Sequence, residues 1–263
     1  MGGETMSRMI TQSTMTANGV DLRTPKLPEP PKRITPGELP HHITVACVWH
    51  RSKTYGVEYV ERLYNMVKRH CPITFTFVCI TPHQKLPDGV IRMPPPLPPF
   101  ERSVASTEEK NWWQKVGLFS PNLFGPSMRV LYLDLDVVIV NSLEEILRAD
   151  DPFCMIENFG PNKGHAAHNS SVMLWTPSDK TAEIFNKFDA SIPAQLHGDQ
   201  CWIWRVMQDE NIRDFERHQC ISFKYERAQQ QWRHRTKETS VIVFHGRPKP
   251  HDCKDKEVAL HWI

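Results

Sequence analysis

Between Val130 and Val140 the chain reads VLYLDLDVVIV, an apolar run of the kind buried strands are made from, broken by two carboxylates one residue apart, Asp134 and Asp136. On a strand, residues i and i+2 face the same way, roughly 7 Å apart at ~3.3 Å rise per residue, so both acids can aim at one site. Burying even one unpaired carboxylate is costly and two repel. A divalent metal, a basic side chain or a raised pKa must compensate, and the metal is the expectation adopted here. Taken alone, Asp-x-Asp at a strand end is more often a turn with two solvated acids. The rest of the chain decides between the two.

The surrounding pattern alternates strands and helices. Ile43 to Trp49 predicts a strand, Val60, Leu63, Tyr64 and Val67 recur at helical spacing, and Ile73 to Ile80 predicts a second strand. Seven prolines between Pro82 and Pro99 argue against regular structure, so an irregular surface loop is expected there. Its poly-proline part reads as a rigid connector, with docking of a proline-reading partner as the other use. Lys110 to Phe119 suits a short helix, and Met128 to Leu133 is the strand that delivers the aspartates. Ser142-Leu143-Glu144-Glu145 has the form of a capping box opening a helix of roughly two turns. Further strands are predicted over Phe153 to Glu157, Ser171 to Trp175, Ile221 to Tyr225 and Val241 to Phe244. Helices are predicted over Lys180 to Phe188, capped by Ser178, and over Asp199 to Met207.

This order predicts a single α/β domain, a mostly parallel sheet flanked by helices, with ligands at the carboxyl ends of the strands. The domain is expected over residues 42–263. Residues 1–41, rich in Thr, Pro, Lys and Glu without hydrophobic periodicity, are expected to be a disordered arm.

With 263 residues, 40% of them hydrophobic, the chain can bury a substantial core. Its 32 Lys and Arg nearly balance 30 Asp and Glu, so no global field calls for nucleic acid or an anionic membrane. No apolar run approaches the ~20 residues of a membrane span, and Met1 to Gln12 lack a signal-peptide profile. Seven cysteines without a Cys-x-x-Cys pair, several inside predicted strands, read as core residues in a reducing compartment, and a cytoplasmic location is expected. The spacing of His245, His251 and Cys253 matches none of the usual structural zinc sites.

Four further clusters join the acid pair. Lys115 sits in the aromatic segment WWQKVGLF, read alone as a snorkelling surface lysine. Asn169-Ser170-Ser171 leads into a strand and has turn chemistry. Gly198-Asp199-Gln200 precedes a helix that Asp199 could simply cap. His245-Gly246-Arg247-Pro248-Lys249-Pro250 follows a strand and combines an imidazole, a flexible glycine and a lysine in one turn.

In this order, from His42 to His251, the pieces resemble the glycogenin-like glycosyltransferases of the GT-A fold, in the nucleotide-diphospho-sugar transferase superfamily. The resemblance implies that Asp134, Asp136 and His245 bind a metal, with Asp134 shared with the ribose. An imidazole in the shell tilts the choice toward Mn²⁺ over Mg²⁺. It implies that Lys115, Gly246 and Lys249 surround the diphosphate and that Tyr55 stacks on the nucleoside base. Asp199 and Gln200 would contact the donor sugar or lie near its anomeric carbon, and Asn169 would bond sugar hydroxyls. The donor implied is a nucleotide-diphosphate sugar, UDP favoured. The acceptor, whether glycan, protein or small molecule, is unassigned, and the family retains anomeric configuration. Here Ser171 replaces the family's usual glycine, and His245 touches Gly246 where the family keeps a few residues between.

Three other readings compete. A haloacid-dehalogenase-like phosphohydrolase also uses Asp-x-Asp and Mg²⁺, but places its aspartate strand near the start of the domain. A sugar-nucleotidyltransferase wants a Gly-rich loop where Trp49-His50-Arg51-Ser52 stands. A non-catalytic nucleotide-sugar binding module is the third. The basic stretch from Gln229 to Lys237 is read as a solvated loop, with an acceptor-binding flap as the functional reading.

Overall fold

The computed structural model describes residues 37–50, 52–97, 111–160, 167–228 and 238–263. The regular elements, in chain order, are β1 His42–Val48, α1 Val57–His70, β2 Thr74–Ile80, β3 Val90–Met93, a 3₁₀ helix Asn111–Phe119, β4 Val130–Leu133, β5 Val137–Ile139, α2 Glu144–Leu147, β6 Phe153–Glu157 and β7 His168–Trp175. There follow α3 Asp179–Asn186, α4 Ile192–Gln195, α5 Asp199–Met207, β8 Arg213–Asp214, β9 Cys220–Ser222, α6 Phe223–Ala228, β10 Val241–Val243, a second 3₁₀ turn Pro250–Asp252 and α7 Lys256–His261.

Seven strands form the main sheet in the order β3-β2-β1-β4-β7-β6-β8, and β5-β10-β9 make a small second sheet. β3, β2, β1 and β4 run parallel, β7 is antiparallel to both β4 and β6, and β8 is parallel to β6. The expected mostly parallel α/β sheet is what the chain forms. Because β2 and β3 lie on one side of β1 and β4 on the other, the winding reverses between β1 and β4. Ligands of α/β sheets collect at the carboxyl ends of strands at such a reversal.

Strand alternation divides the core between the two faces. Ile43, Val45, Cys47, Leu131, Leu133, Val172 and Leu174 pack with Tyr59, Leu63, Met66 and Val67 of α1 and with the small sheet. Val130, Tyr132, Met173 and Trp175 pack on the other face with Trp113, Val116 and Phe119 of the 3₁₀ helix and with Ile184, Trp202 and Ile203. Each such aliphatic or aromatic side chain, when fully buried, contributes roughly 1.5–3 kcal/mol. Helix α1 buries its stripe at i, i+3, i+4, and its basic last turn, Lys68, Arg69 and His70, suits the carboxyl end of the helix dipole.

Several local expectations are corrected. The proline stretch is not wholly irregular: between its prolines, Val90–Met93 pairs with β2 as an edge strand, the place where prolines at the flanks do least harm. Pro96 and Leu97 pack against Gly117, so this part of the tract is spent on the protein itself. At Ser142 the capping box does not form. Ser142 Oγ accepts from the Glu144 amide, Leu143 holds the cap position, and α2 is one turn long. Ser178 does cap α3, reciprocally with Thr181. The strand expected over Ile221 to Tyr225 ends at Ser222, whose hydroxyl accepts from the Tyr225 amide as the chain turns into α6. The fold also extends ahead of His42: Leu39 packs on the core, and the Gly37 carbonyl accepts from Arg148. The proposed arm up to residue 36 and the stretch from Gln229 to Lys237 lie outside the described residues. Among the described residues no helix is long and apolar enough to cross a membrane.

Candidate active site

The two acids do not share one strand as expected. β4 stops at Leu133 and β5 begins at Val137 in the other sheet, so Asp134-Leu135-Asp136 is the crossover between sheets. Alternation nevertheless persists through it. Leu135 is buried in the core, which turns its two acidic neighbours the other way, into the crevice beyond β1 and β4. The Asp134 amide donates to the Ser171 carbonyl at 2.9 Å, pinning the crossover to β7.

Each acid is held by a lysine and a tyrosine. Lys115 Nζ lies 2.9 Å from Asp134 Oδ1 and 3.1 Å from Ser170 Oγ. Tyr132, two residues before Asp134 on the same face of β4, donates to Asp134 Oδ1 at 2.6 Å. Lys249 Nζ lies 2.5 Å from Asp136 Oδ2, and the Tyr55 hydroxyl, from the segment after β1, donates to the same oxygen at 2.9 Å. The lysine lies over the Tyr55 ring, 5.3 Å from its centre. The bulge between β6 and β7 completes the group. Alternation from Met173 would place Ser171 on the face of Tyr132, but the register shifts before Asn169, and Ser170 is the residue that meets Lys115. Ser170 then donates to Asp199 Oδ2 at 2.6 Å, and Lys115 stands 3.5 Å from the same oxygen.

These five charges, Asp134, Asp136 and Asp199 against Lys115 and Lys249, leave one negative charge in excess. Burial lowers the proton affinity of Lys115, but Asp134 and Asp199 outweigh it and hold the ammonium well above its usual range. Burial, then the charge of Asp134, pushes the Asp136 carboxyl up despite Lys249. Burial likewise raises Asp199 against the pull of Lys115. A site with one negative charge in excess, where Asp136 and Asp199 are raised even beside two lysines, has room for one more positive charge, and its paired carboxylates are hard oxygen donors suited to Mg²⁺ or Mn²⁺.

The residues expected from the motifs fare unequally. Lys115, Asp134, Asp136, Asp199, Tyr55 and Lys249 are joined in this network. Asn169 is buried but caps the Ser171 amide with its own Oδ1, while Gln200 lies half-buried beside Asp199. Gly246 has φ +77 and open space where a side chain would stand, which frees its backbone for close approach. His245 does not join the acids. Its Nε2 is 2.7 Å from Ser222 Oγ, and its ring stacks on Phe159 at 5.5 Å. Burial, with Lys224 and Lys249 nearby, depresses its pKa to about 4. Among the described residues no three His, Cys, Asp or Glu side chains form a group able to hold a metal, so the expected triad of Asp134, Asp136 and His245 is not assembled. The reason is local: His245 directly follows buried Phe244, and Ser222 and Phe159 fix the direction of its ring.

Sequence reasoning missed Tyr132, and within Asn169-Ser170-Ser171 it gave the role to Asn169 where Ser170 is the residue that joins the network. The period-2 relation of Tyr132 to Asp134 was a usable signal; the bulge that turns Ser170 was not. Beside the site, Thr54, Glu58, Tyr59, Arg62, His251 and Trp262 line a cleft of about 320 Å³.

No protein-family model matches the chain, and no curated protein matches it by sequence. Solved structures do match in fold. A galactosyltransferase, LgtC, in complex with donor and acceptor sugar analogues superposes with TM-score 0.56 at 15% identity, over 83% of this chain and 94% of LgtC. An active-site mutant of LgtC gives TM-score 0.57 at the same identity and coverage. The apo glycosyltransferase GlyE of Streptococcus pneumoniae TIGR4 matches with TM-score 0.55 at 12% identity over 84% of this chain, which spans only 59% of GlyE. The protein thus has the GT-A-type fold of these glycosyltransferases.

Proposed function

We propose that the protein is a glycosyltransferase that moves a sugar from a nucleotide-diphosphate donor, a UDP-sugar being favoured, to a glycan, protein or small-molecule acceptor. The observation that carries this reading is the pair Asp134 and Asp136 at the β1/β4 reversal, each gripped by a lysine from a different part of the chain. The fold shared with LgtC and GlyE and the glycogenin-like order of motifs support it.

Asp134 and Asp136 would hold a divalent cation, which when bound neutralises charge on the departing diphosphate. With His245 turned to Ser222, the preference for Mn²⁺ over Mg²⁺ loses its basis. Lys249 and the backbone at Gly246 approach the diphosphate, where a point charge and an unhindered amide lower the cost of charge development. Lys115 acts chiefly as a clamp: its donors are directed at Asp134, Ser170 and Asp199, which orients two carboxylates at once. Asp199 and Gln200 face the sugar, and the cleft beside Tyr59 receives the nucleoside. The phosphohydrolase reading needs Asp134 as a free nucleophile, whereas both its oxygens are engaged by Lys115 and Tyr132.

The test is incubation with Mn²⁺ or Mg²⁺ and a panel of UDP- and GDP-sugars. Release of nucleoside diphosphate supports the assignment. Release of inorganic phosphate from a phosphomonoester, or donor binding without product, would replace it with the phosphohydrolase or the binding module.

A further inference from the structure

We propose that Trp112 is the platform on which a pyranose acceptor rests, so that the acceptor of this enzyme is a glycan or glycoside; the inference rests on the glycosyltransferase reading above. It starts from the helix that carries Lys115. Asn111–Phe119 is a 3₁₀ helix, not the ordinary short helix the sequence suggests, and nine residues is long for that geometry. With three residues per turn, positions i and i+3 eclipse. Trp113, Val116 and Phe119 therefore fall on one line and are all buried in the core. Trp112 and Lys115 fall on the neighbouring line, one turn and about 6 Å apart at ~2.0 Å per residue. Lys115 is buried among Asp134, Ser170 and Asp199, whereas Trp112, at the open end of that face, keeps 37% of its surface exposed.

A second contact fixes where the indole stands. Its Nε1 and Cδ1 lie 3.6 and 3.7 Å from the point where a Cβ on Gly198 would be, so its pyrrole edge rests on the residue immediately before Asp199. Among the described residues the other exposed large apolar side chains, Val57, Leu260 and Ile263, belong to helix α1 and the C-terminal segment. Trp112 alone among them borders the Asp199-Gln200 turn.

The chemistry of this rim is that of a sugar. A pyranose is amphipathic, with an apolar C–H face and a rim of hydroxyls. A flat indole with about a third of its surface open to solvent offers an apolar surface for the first. The half-buried Gln200 amide, two residues beyond Gly198, offers hydrogen-bonding groups for the second. Of the Trp112–Lys115 line, Trp112 is the exposed member and Lys115 the buried one, so the indole is the part of this helix open to a ligand beside the cluster.

The experiment compares wild type with Trp112→Ala and Trp112→Phe. Donor consumption is measured without acceptor, and transfer to methyl glucoside, methyl galactoside, methyl N-acetylglucosaminide and a Ser- and Tyr-containing peptide is measured with it. The ratio of glycoside transfer to donor hydrolysis is expected to fall about tenfold in Trp112→Ala and to recover most of that in Trp112→Phe. Equal loss of both rates would mark a merely structural or donor-side residue, and transfer to the peptide alone would mark the wrong acceptor class; either overturns the proposal. Independently of turnover, the Trp112 indole N–H resonance, identified by its absence from Trp112→Phe spectra, should shift on titration with a methyl glycoside. No shift with any glycoside, or a shift with the UDP-sugar alone, overturns it too. Absence of any nucleoside diphosphate release would instead remove the underlying transferase assignment.

Discussion

Lys249 Nζ lies 2.5 Å from Asp136 Oδ2, although 113 residues separate the two. The contact joins the turn after β10 to the crossover after β4, and both side chains are nearly buried, at 14% and 11% exposure. An ion pair so shielded interacts far more strongly than one on the surface, and neither partner is replaceable without leaving the other charge poorly solvated.

Replacing Lys249 by Met should weaken nucleoside diphosphate binding about tenfold or more, the scale of losing a shielded charge contact. Isothermal calorimetry with UDP and with GDP in the presence of Mg²⁺ measures it. Undiminished affinity for both would take Lys249 out of the site.

Asp136→Ala should abolish metal-dependent binding of the donor while preserving the far-UV circular dichroism spectrum. The carboxylate lies in the crossover between sheets, outside both β4 and β5, so the ladders do not depend on it. Wild-type donor affinity in this variant would sink the electrostatic account of the site.

Lys115→Met strands Asp134 and Asp199 beside each other in a buried setting, and should cost roughly 3–5 kcal/mol of stability. Adding Asp134→Asn should return part of that loss, giving an interaction energy above about 1 kcal/mol in a double-mutant cycle by urea unfolding. Strict additivity would mean that the 2.9 Å contact contributes nothing.

The cysteines should report burial directly. Cys47, Cys79, Cys154, Cys201 and Cys220 are buried and Cys71 and Cys253 partly accessible. Burial raises the thiols of Cys47, Cys201 and Cys220 and brings Cys154 up to about 11. Alkylation of the folded protein near pH 8 should therefore mark Cys71 and Cys253 first, and all seven only after unfolding, as read by peptide mass spectrometry. Early labelling of Cys47 would contradict the packing of β1.

Local pattern failed where a neighbour outbid it. Ser142-x-x-Glu145 and Ser178-x-x-Thr181 both place hydrogen-bonding side chains at capping distance, yet only Ser178 forms the reciprocal cap. Leu143, fully buried, takes the cap position of α2 instead. Proline content hid β3 because an edge strand needs only one ladder. The motif order suggested a metal-binding His245, but Ser222, 23 residues upstream, claims its Nε2.

What the sequence determined by itself was the framework: strands by their apolar runs, α1 by its 3.6-residue stripe, and the acid pair set in an apolar run, because periodicity and burial cost act over a few neighbouring residues. Tertiary structure alone decided that Asp134 and Asp136 would turn between two sheets, that Lys115 would serve the first and Lys249 the second, and that a bulge would bring Ser170 between Lys115 and Asp199. Those outcomes depend on which strands become neighbours at the β1/β4 reversal. Contacts between groups tens to more than a hundred residues apart are set by sheet order and register, which no local pattern encodes.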